Sequence, residues 1–155
     1  MELSIDIKKS VVYDEVQKTT SYIGSKKNEE KEDPYTRIAA TDSDVDLLER
    51  YWRQACASVV EELKPFVLSV STPENSQTII PSEVFTLELQ VSDSFEQKLV
   101  PSLERVLKEF FINKICCEWL AVTGDKESDY YKKGMEENGE ELRRILYYRK
   151  RPSKQ

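Results

Sequence analysis

Hydrophobic residues recur every three or four positions in four segments of the chain, a spacing that predicts amphipathic helices. The segments begin near Ser10, near residue 43, at residue 93 or 94 and near residue 126, and the last three end at about residues 63, 122 and 148. The third segment is apolar around most of its circumference, which predicts a central helix. We expect the first helix to stop at Gly24 and the charged residues 25–34 to form a solvated loop.

Two shorter runs predict β-strands. Residues 66–71 are rich in β-forming side chains, and residues 85–91 alternate strictly between apolar and polar positions. These runs predict an antiparallel hairpin whose tip lies at about residues 72–82. Residues 3–8 also alternate, which predicts either a short strand or an extended arm.

These elements predict a mainly α fold, an antiparallel bundle of about four helices with a small β-hairpin inserted between the second and third helices at about residues 66–91. We expect one helical domain over residues 1–148 and a basic flexible tail over residues 149–155. A chain of 155 residues buries roughly two-thirds of its unfolded surface, which is enough for one core.

Charge is unevenly distributed along the chain. The formal net charge is −6, yet residues 143–155 hold six basic residues and no acidic one, so the other 142 residues carry a net charge of −12. An acidic body repels nucleic acid and anionic membranes, and we expect no membrane partner and no sequence-specific nucleic-acid partner.

The residue types that most enzymes need are scarce. The chain has no histidine, and its four glycines form no phosphate-binding loop. The cysteines Cys56, Cys116 and Cys117 have no metal-ligand spacing and are expected to be core residues in a reducing compartment. We therefore predict that the protein is not an enzyme, has no cofactor or metal, and works in the cytoplasm of a cell by binding proteins.

Aromatic and basic side chains alternate where the last predicted helix ends. This segment is interpreted as a frayed helix end, as a docking segment for an acidic groove on a protein, or as a nucleic-acid contact. On the predicted hairpin tip, two isoleucines either fold back on the core or form a contact surface. The candidate partner-binding residues are Tyr147, Tyr148, Arg149, Lys150, Arg151, Ile79 and Ile80.

Three stretches carry a likeness to a known group of proteins. Residues 14–24 (DEVQKTTSYIG), residues 47–52 (LLERYW) and residues 145–152 (ILYYRKRP), in this order of elements, resemble the head-tail connector (neck or adaptor) proteins of tailed bacteriophages and prophages, most of all those of Bacteroides-type prophages. The strands depart from the pattern, since such connectors are more purely helical.

The resemblance implies a helical protomer that forms or joins a ring beneath the portal of a DNA-filled capsid. It implies that residues 147–152 dock on the portal or on a neighbouring protomer, and that the tip at residues 72–82 reaches another protomer or the lumen of the ring. An acidic surface would let DNA pass without adhering. The location would be the host cytoplasm or the virion neck. The alternative is an adaptor or regulatory protein that belongs to no virion and binds one soluble partner.

Overall fold

The computed structural model describes residues 1–30, 40, 44–71 and 83–148, and for residues 26–30, 70 and 71 it describes the backbone alone. Two short 3-10 turns lie at Lys64–Phe66 and Gln97–Leu99. In chain order the elements are β1 (Glu2–Lys8), α1 (Lys9–Glu30), α2 (Val45–Glu62), β2 (Val67–Ser71), β3 (Val84–Gln90), α3 (Val100–Val122) and α4 (Ser128–Tyr147). The mainly α fold with four helices and a small antiparallel sheet is confirmed.

The sheet has three strands in the order β1-β3-β2, and both pairings are antiparallel. Residues 3–8 are therefore part of a strand and not an extended arm. The predicted hairpin supplies the other two of the three strands. Side chains of Phe85, Leu87 and Leu89 face the helices, while Glu88 and Gln90 face solvent. One face of the sheet thus covers the helical core.

Helix α1 begins directly after β1 and continues past Gly24 to Glu30, so the predicted stop at Gly24 is wrong. A glycine within a helix costs only about 1 kcal/mol relative to alanine, and the lysines and glutamates that follow it are strong helix formers. Residues 25–30, for which the sequence predicts a loop, are helical, and residues 31–34 lie outside the described residues.

Helix α3 begins at Val100, later than the predicted start at residue 93 or 94. Phe95 is buried in the connection, and Pro101 occupies the first turn of α3, where the missing N–H removes no helical hydrogen bond. Gly124 follows the helix with a φ of 75°, in the left-handed region that favours glycine. The chain then turns into α4, which packs along α3.

Three aromatic rings join the helices to the sheet. Phe111 on α3 lies between Trp52 on α2 and Phe85 on β3, with ring centroids 4.7 Å and 5.5 Å away respectively. All three side chains are almost fully buried. Helix α3 is the central helix, as its sequence predicts, because it packs against the three other helices and β1. No helix among the described residues is both long enough and apolar enough to cross a membrane.

The buried hydroxyl of Thr20 connects α1 to the chain that returns towards α2. Its Oγ1 donates to the Val16 carbonyl at 2.8 Å and accepts a hydrogen bond from the Ala40 N–H at 3.0 Å. Ala40 is itself buried. Ala40 therefore lies against the buried side of α1 at Thr20.

Candidate functional site

Tyr147, one of the predicted partner-binding residues, is held at the end of α4 by an aromatic contact. Its ring meets that of Phe66 edge-on, with centroids 4.9 Å apart and an interplanar angle of 68°. Phe66 is buried, whereas Tyr147 is 55% exposed. One edge of the tyrosine ring is thus fixed against the core and the rest faces solvent.

The local sequence explains this position. Leu142 and Leu146 lie one turn apart on the buried face of α4, and the next residue points about 100° further round the helix, towards the Lys64–Phe66 turn. Tyr148 has extended backbone angles, and its N–H donates to the Ile145 carbonyl at 3.2 Å. The helix ends there, and the predicted contact residues Arg149, Lys150 and Arg151 lie outside the described residues.

The neighbouring side chains extend the exposed aromatic area. Tyr148 is 47% exposed and lies within electrostatic range of the Lys98 ammonium, which contacts Glu96 Oε2 at 3.0 Å. We call Phe66, Lys98, Tyr147 and Tyr148 the C-terminal surface.

Sequence reasoning identified the two tyrosines of this surface and missed the rest. The spacing predicts a strand at Phe66 and the start of a helix at Lys98, so no local pattern places these residues beside the end of α4. Only the tertiary packing of α4 on the Lys64–Phe66 turn brings them together.

Ile79 and Ile80 lie outside the described residues, but the strands fix where their segment leaves the sheet. It departs after Ser71 and returns before Val84, at the opposite end of β2 from Phe66. At a strand rise of roughly 3.3 Å per residue, Phe66 and Ser71 are about 16 Å apart. The described residues therefore do not bring the base of the tip and the C-terminal surface together.

A buried charge cluster lies at the start of α1. The Lys9 side chain is 7% exposed, and its Nζ contacts Glu49 Oε1 at 2.7 Å and Glu83 Oε2 at 3.6 Å. It also lies 5.9 Å from the centre of the Tyr13 ring. No local pattern in the sequence indicates this cluster, because its members come from α1, α2 and the residue before β3.

The cluster has the character of a structural ion pair. Burial, followed by the negative charge of Glu49, raises the pKa of the Tyr13 phenol above its ordinary value, so this group stays protonated near neutral pH. The Lys9 ammonium is enclosed by its carboxylate partners. These contacts join α1 to α2 and to the beginning of β3.

The cysteines should differ in reactivity. Burial raises the pKa of the Cys116 thiol to about 12, and it raises that of the half-buried Cys117 as well. At pH 8 about one Cys116 molecule in ten thousand is thiolate, the reactive form. We expect iodoacetamide to label Cys117 first in the native protein, and Cys116 only on unfolding. Peptide mass spectrometry measures both rates.

Labelling of all the cysteines in concentrated guanidinium chloride is the control for this experiment. Equal labelling rates of Cys116 and Cys117 in the native protein would contradict the assigned burial.

The fold and the C-terminal surface together define a small, mainly helical protein with a three-stranded sheet and an exposed aromatic patch. Comparison with protein-family models, with curated proteins and with solved structures finds no match to this chain. The likeness to phage connector proteins therefore stays a prediction from the sequence.

Proposed function

We propose that this protein is a structural assembly protein of the phage-neck type, which binds a portal-like partner or its own neighbours through the C-terminal surface. The observation that supports this proposal is Tyr147, more than half exposed and oriented by Phe66 at the base of the basic segment.

The physical properties of this surface suit protein binding. Tyrosine and arginine are enriched among the residues that dominate binding energy, because they combine a large contact area with directed polar contacts. The Phe66 contact also fixes the Tyr147 ring before a partner arrives, which lowers the entropy lost on binding. The basic residues 149–151 follow directly and favour an acidic groove on the partner.

The charge of the remaining chain fits a position near passing DNA. With a net charge of −12 over residues 1–142, the body of the protein repels phosphate groups. A connector has to let DNA move past without binding it, so an acidic surface suits this function better than a neutral one.

A binding measurement with the portal protein encoded in the same genome tests the proposal. We expect the wild-type chain to form a complex whose mass is measurable by light scattering. Tyr147→Ala combined with Tyr148→Ala should weaken binding at least about tenfold, as expected for residues at a binding hot spot. Tyr22→Ala, at a tyrosine that is 72% exposed on α1, is the matched control and should leave binding unchanged.

Truncation after Tyr148 separates binding from folding. The Tyr147–Phe66 contact remains, so the free energy of unfolding should stay the same while portal binding weakens. The proposal is contradicted if the chain does not bind the portal under any condition, or if it binds equally well without both tyrosines.

A second candidate is an adaptor that uses the same surface to bind one soluble protein outside any virion. The three-stranded sheet favours this candidate, because it is a larger departure from purely helical connectors than the hairpin alone. Binding to a non-virion partner that is lost in the double tyrosine variant, with no binding to the portal, would decide for the adaptor.

A further inference from the structure

Strand β1 forms an unbroken edge of the sheet. It pairs with β3 in one continuous register from Glu2 opposite Gln90 to Lys8 opposite Val84. Within the described residues no strand pairs with the other side of β1. A regular seven-residue edge of this kind can accept a further strand through its backbone groups.

The hydrogen bonds at the two ends of the ladder show which residues of β1 face β3. The Val91 N–H donates to the Met1 carbonyl and the Lys9 N–H donates to the Glu83 carbonyl, both at 2.9 Å. Because antiparallel pairing alternates, the odd-numbered residues of β1 bond to β3 and the even-numbered residues direct their N–H and C=O groups outwards. The outward-facing residues are Glu2, Ser4, Asp6 and Lys8.

The polar and charged groups of these four residues match those of a second copy of β1 that runs in the opposite direction. If a second β1 runs antiparallel along this edge with Ile5 opposite Ile5, each Glu2 meets a Lys8 and each Ser4 meets an Asp6. Two-fold symmetry forms every such pair twice. Opposite charges across two strands stabilise their pairing.

The exposed face of the sheet already contains the same hydroxyl–carboxylate chemistry. The Thr86 hydroxyl donates to Asp6 Oδ1 at 2.8 Å. On the other side of β3, the Ser69 hydroxyl donates to Glu88 Oε2 at 2.8 Å. A Ser4 hydroxyl donating to Asp6 of a second copy would continue this row of bonds across the new edge.

The neighbouring registers are unfavourable. Centring the pair on Ser4 places each Glu2 opposite an Asp6, and centring it on Asp6 places two Asp6 carboxylates opposite each other. Like charges directly opposite destabilise strand pairing. The charges of β1 therefore select the register centred on Ile5.

The other edge of the sheet is less suited to pairing. Strand β2 has five residues, and its register shifts between Val67 and Ser69. A short strand with such an irregularity resists further pairing. The regular edge is the one on β1.

A cleft of about 340 Å³ lies beside β1, lined by apolar side chains and by charged side chains of β1 and α3, and a second strand would add its side chains there. Its apolar lining includes Val11, which is 41% exposed, and Pro101. In the register centred on Ile5, the residue opposite Ile7 is Leu3 of the second copy, whose side chain points to the same face as this cleft. Pairing would thus cover exposed apolar surface.

From these observations we propose that two copies of this chain associate through antiparallel pairing of their β1 strands, centred on Ile5, to form a continuous six-stranded sheet. The pairing uses no residue of the C-terminal surface. If the β1 pairing proves wrong, the proposed portal binding is unaffected. If the portal binding proves wrong, the β1 pairing is unaffected.

Reversing the charges of Glu2 and Lys8 tests the pairing. Light scattering and sedimentation equilibrium of residues 1–155 at physiological ionic strength should show a mass that rises towards twice that of the chain with concentration. Lys8→Glu alone and Glu2→Lys alone should each weaken the dimer about tenfold or more, because both symmetry-related pairs become repulsive. The double variant E2K/K8E should restore it.

Lys133→Glu, at an exposed residue of α4, is the matched control for the change in net charge and should leave the dimer intact. Circular dichroism of each variant is used to check that it is folded. If the single charge changes do not weaken the dimer, or if the double variant does not form it again, the proposal is wrong.

Amide hydrogen exchange adds a readout at single residues. The N–H groups of Ser4 and Asp6 should become protected as the concentration rises, while those of Ile5 and Ile7 are protected throughout. A strict monomer in which Ser4 and Asp6 exchange rapidly at all concentrations would overturn the proposal and leave this edge available for a strand of another protein.

Discussion

Replacing Lys9 by methionine is expected to lower the free energy of unfolding by about 3 kcal/mol, because it leaves the Glu49 carboxylate buried without its cation. The Glu49 side chain is only 16% exposed, so water cannot fully replace the lost partner. Chemical unfolding followed by circular dichroism gives the value. The double variant K9M/E49M removes both charges and should recover most of the loss, since a buried pair can be replaced by apolar side chains of similar volume.

Lys18→Met is the matched control, as it makes the same substitution on α1 at an exposed lysine paired with Asp14. Its effect on stability should be small, because exposed ion pairs contribute little. If K9M is as stable as this control, or if the double variant is no more stable than K9M, the pair does not hold α1 to α2.

Replacing Phe111 by alanine should cost about 4 kcal/mol of stability, since a buried phenylalanine in a packed core loses both its transfer free energy and its contacts. The change removes the ring between Trp52 and Phe85 and so separates the helical layer from the sheet. Thermal and urea unfolding measure the loss, and the Trp52 environment can be followed by fluorescence.

Phe111→Leu keeps most of the volume and should cost no more than about 1.5 kcal/mol. Val122→Ala, at the end of the same helix where the side chain is 63% exposed, should change stability by less than about 0.5 kcal/mol. A loss in F111A as small as in the Val122 control would show that these rings do not connect the two layers.

Most of the secondary structure follows from the spacing of apolar residues, because the stripes on α2 and α3 and the alternation of β3 each fit a single geometry. The errors lie where local signals compete. Gly24 resembles a helix end, yet the side chains around it continue α1. The short alternation at residues 3–8 could not show that β1 would pair with β3, about 80 residues away, because strand pairing over such a distance is decided by tertiary packing.

Less of the candidate site could be predicted. Tyr147 and Tyr148 stand out in the sequence because aromatic and basic residues alternate there, but their neighbour Phe66 is 81 positions from Tyr147. The Lys9–Glu49 pair has no sequence signature at all, since a lysine that becomes buried looks the same as one that stays in water. The self-complementarity of β1 can be recognised only after the ladder shows which of its residues face outwards.

The bond between Thr20 and Ala40 also bears on how this protein can change over generations. Because the Ala40 N–H is buried, it needs an acceptor, and a hydroxyl has to be kept at position 20, as serine would do. Valine, which has a similar shape, leaves this N–H without its partner. We therefore expect position 20 to vary little as the sequence changes.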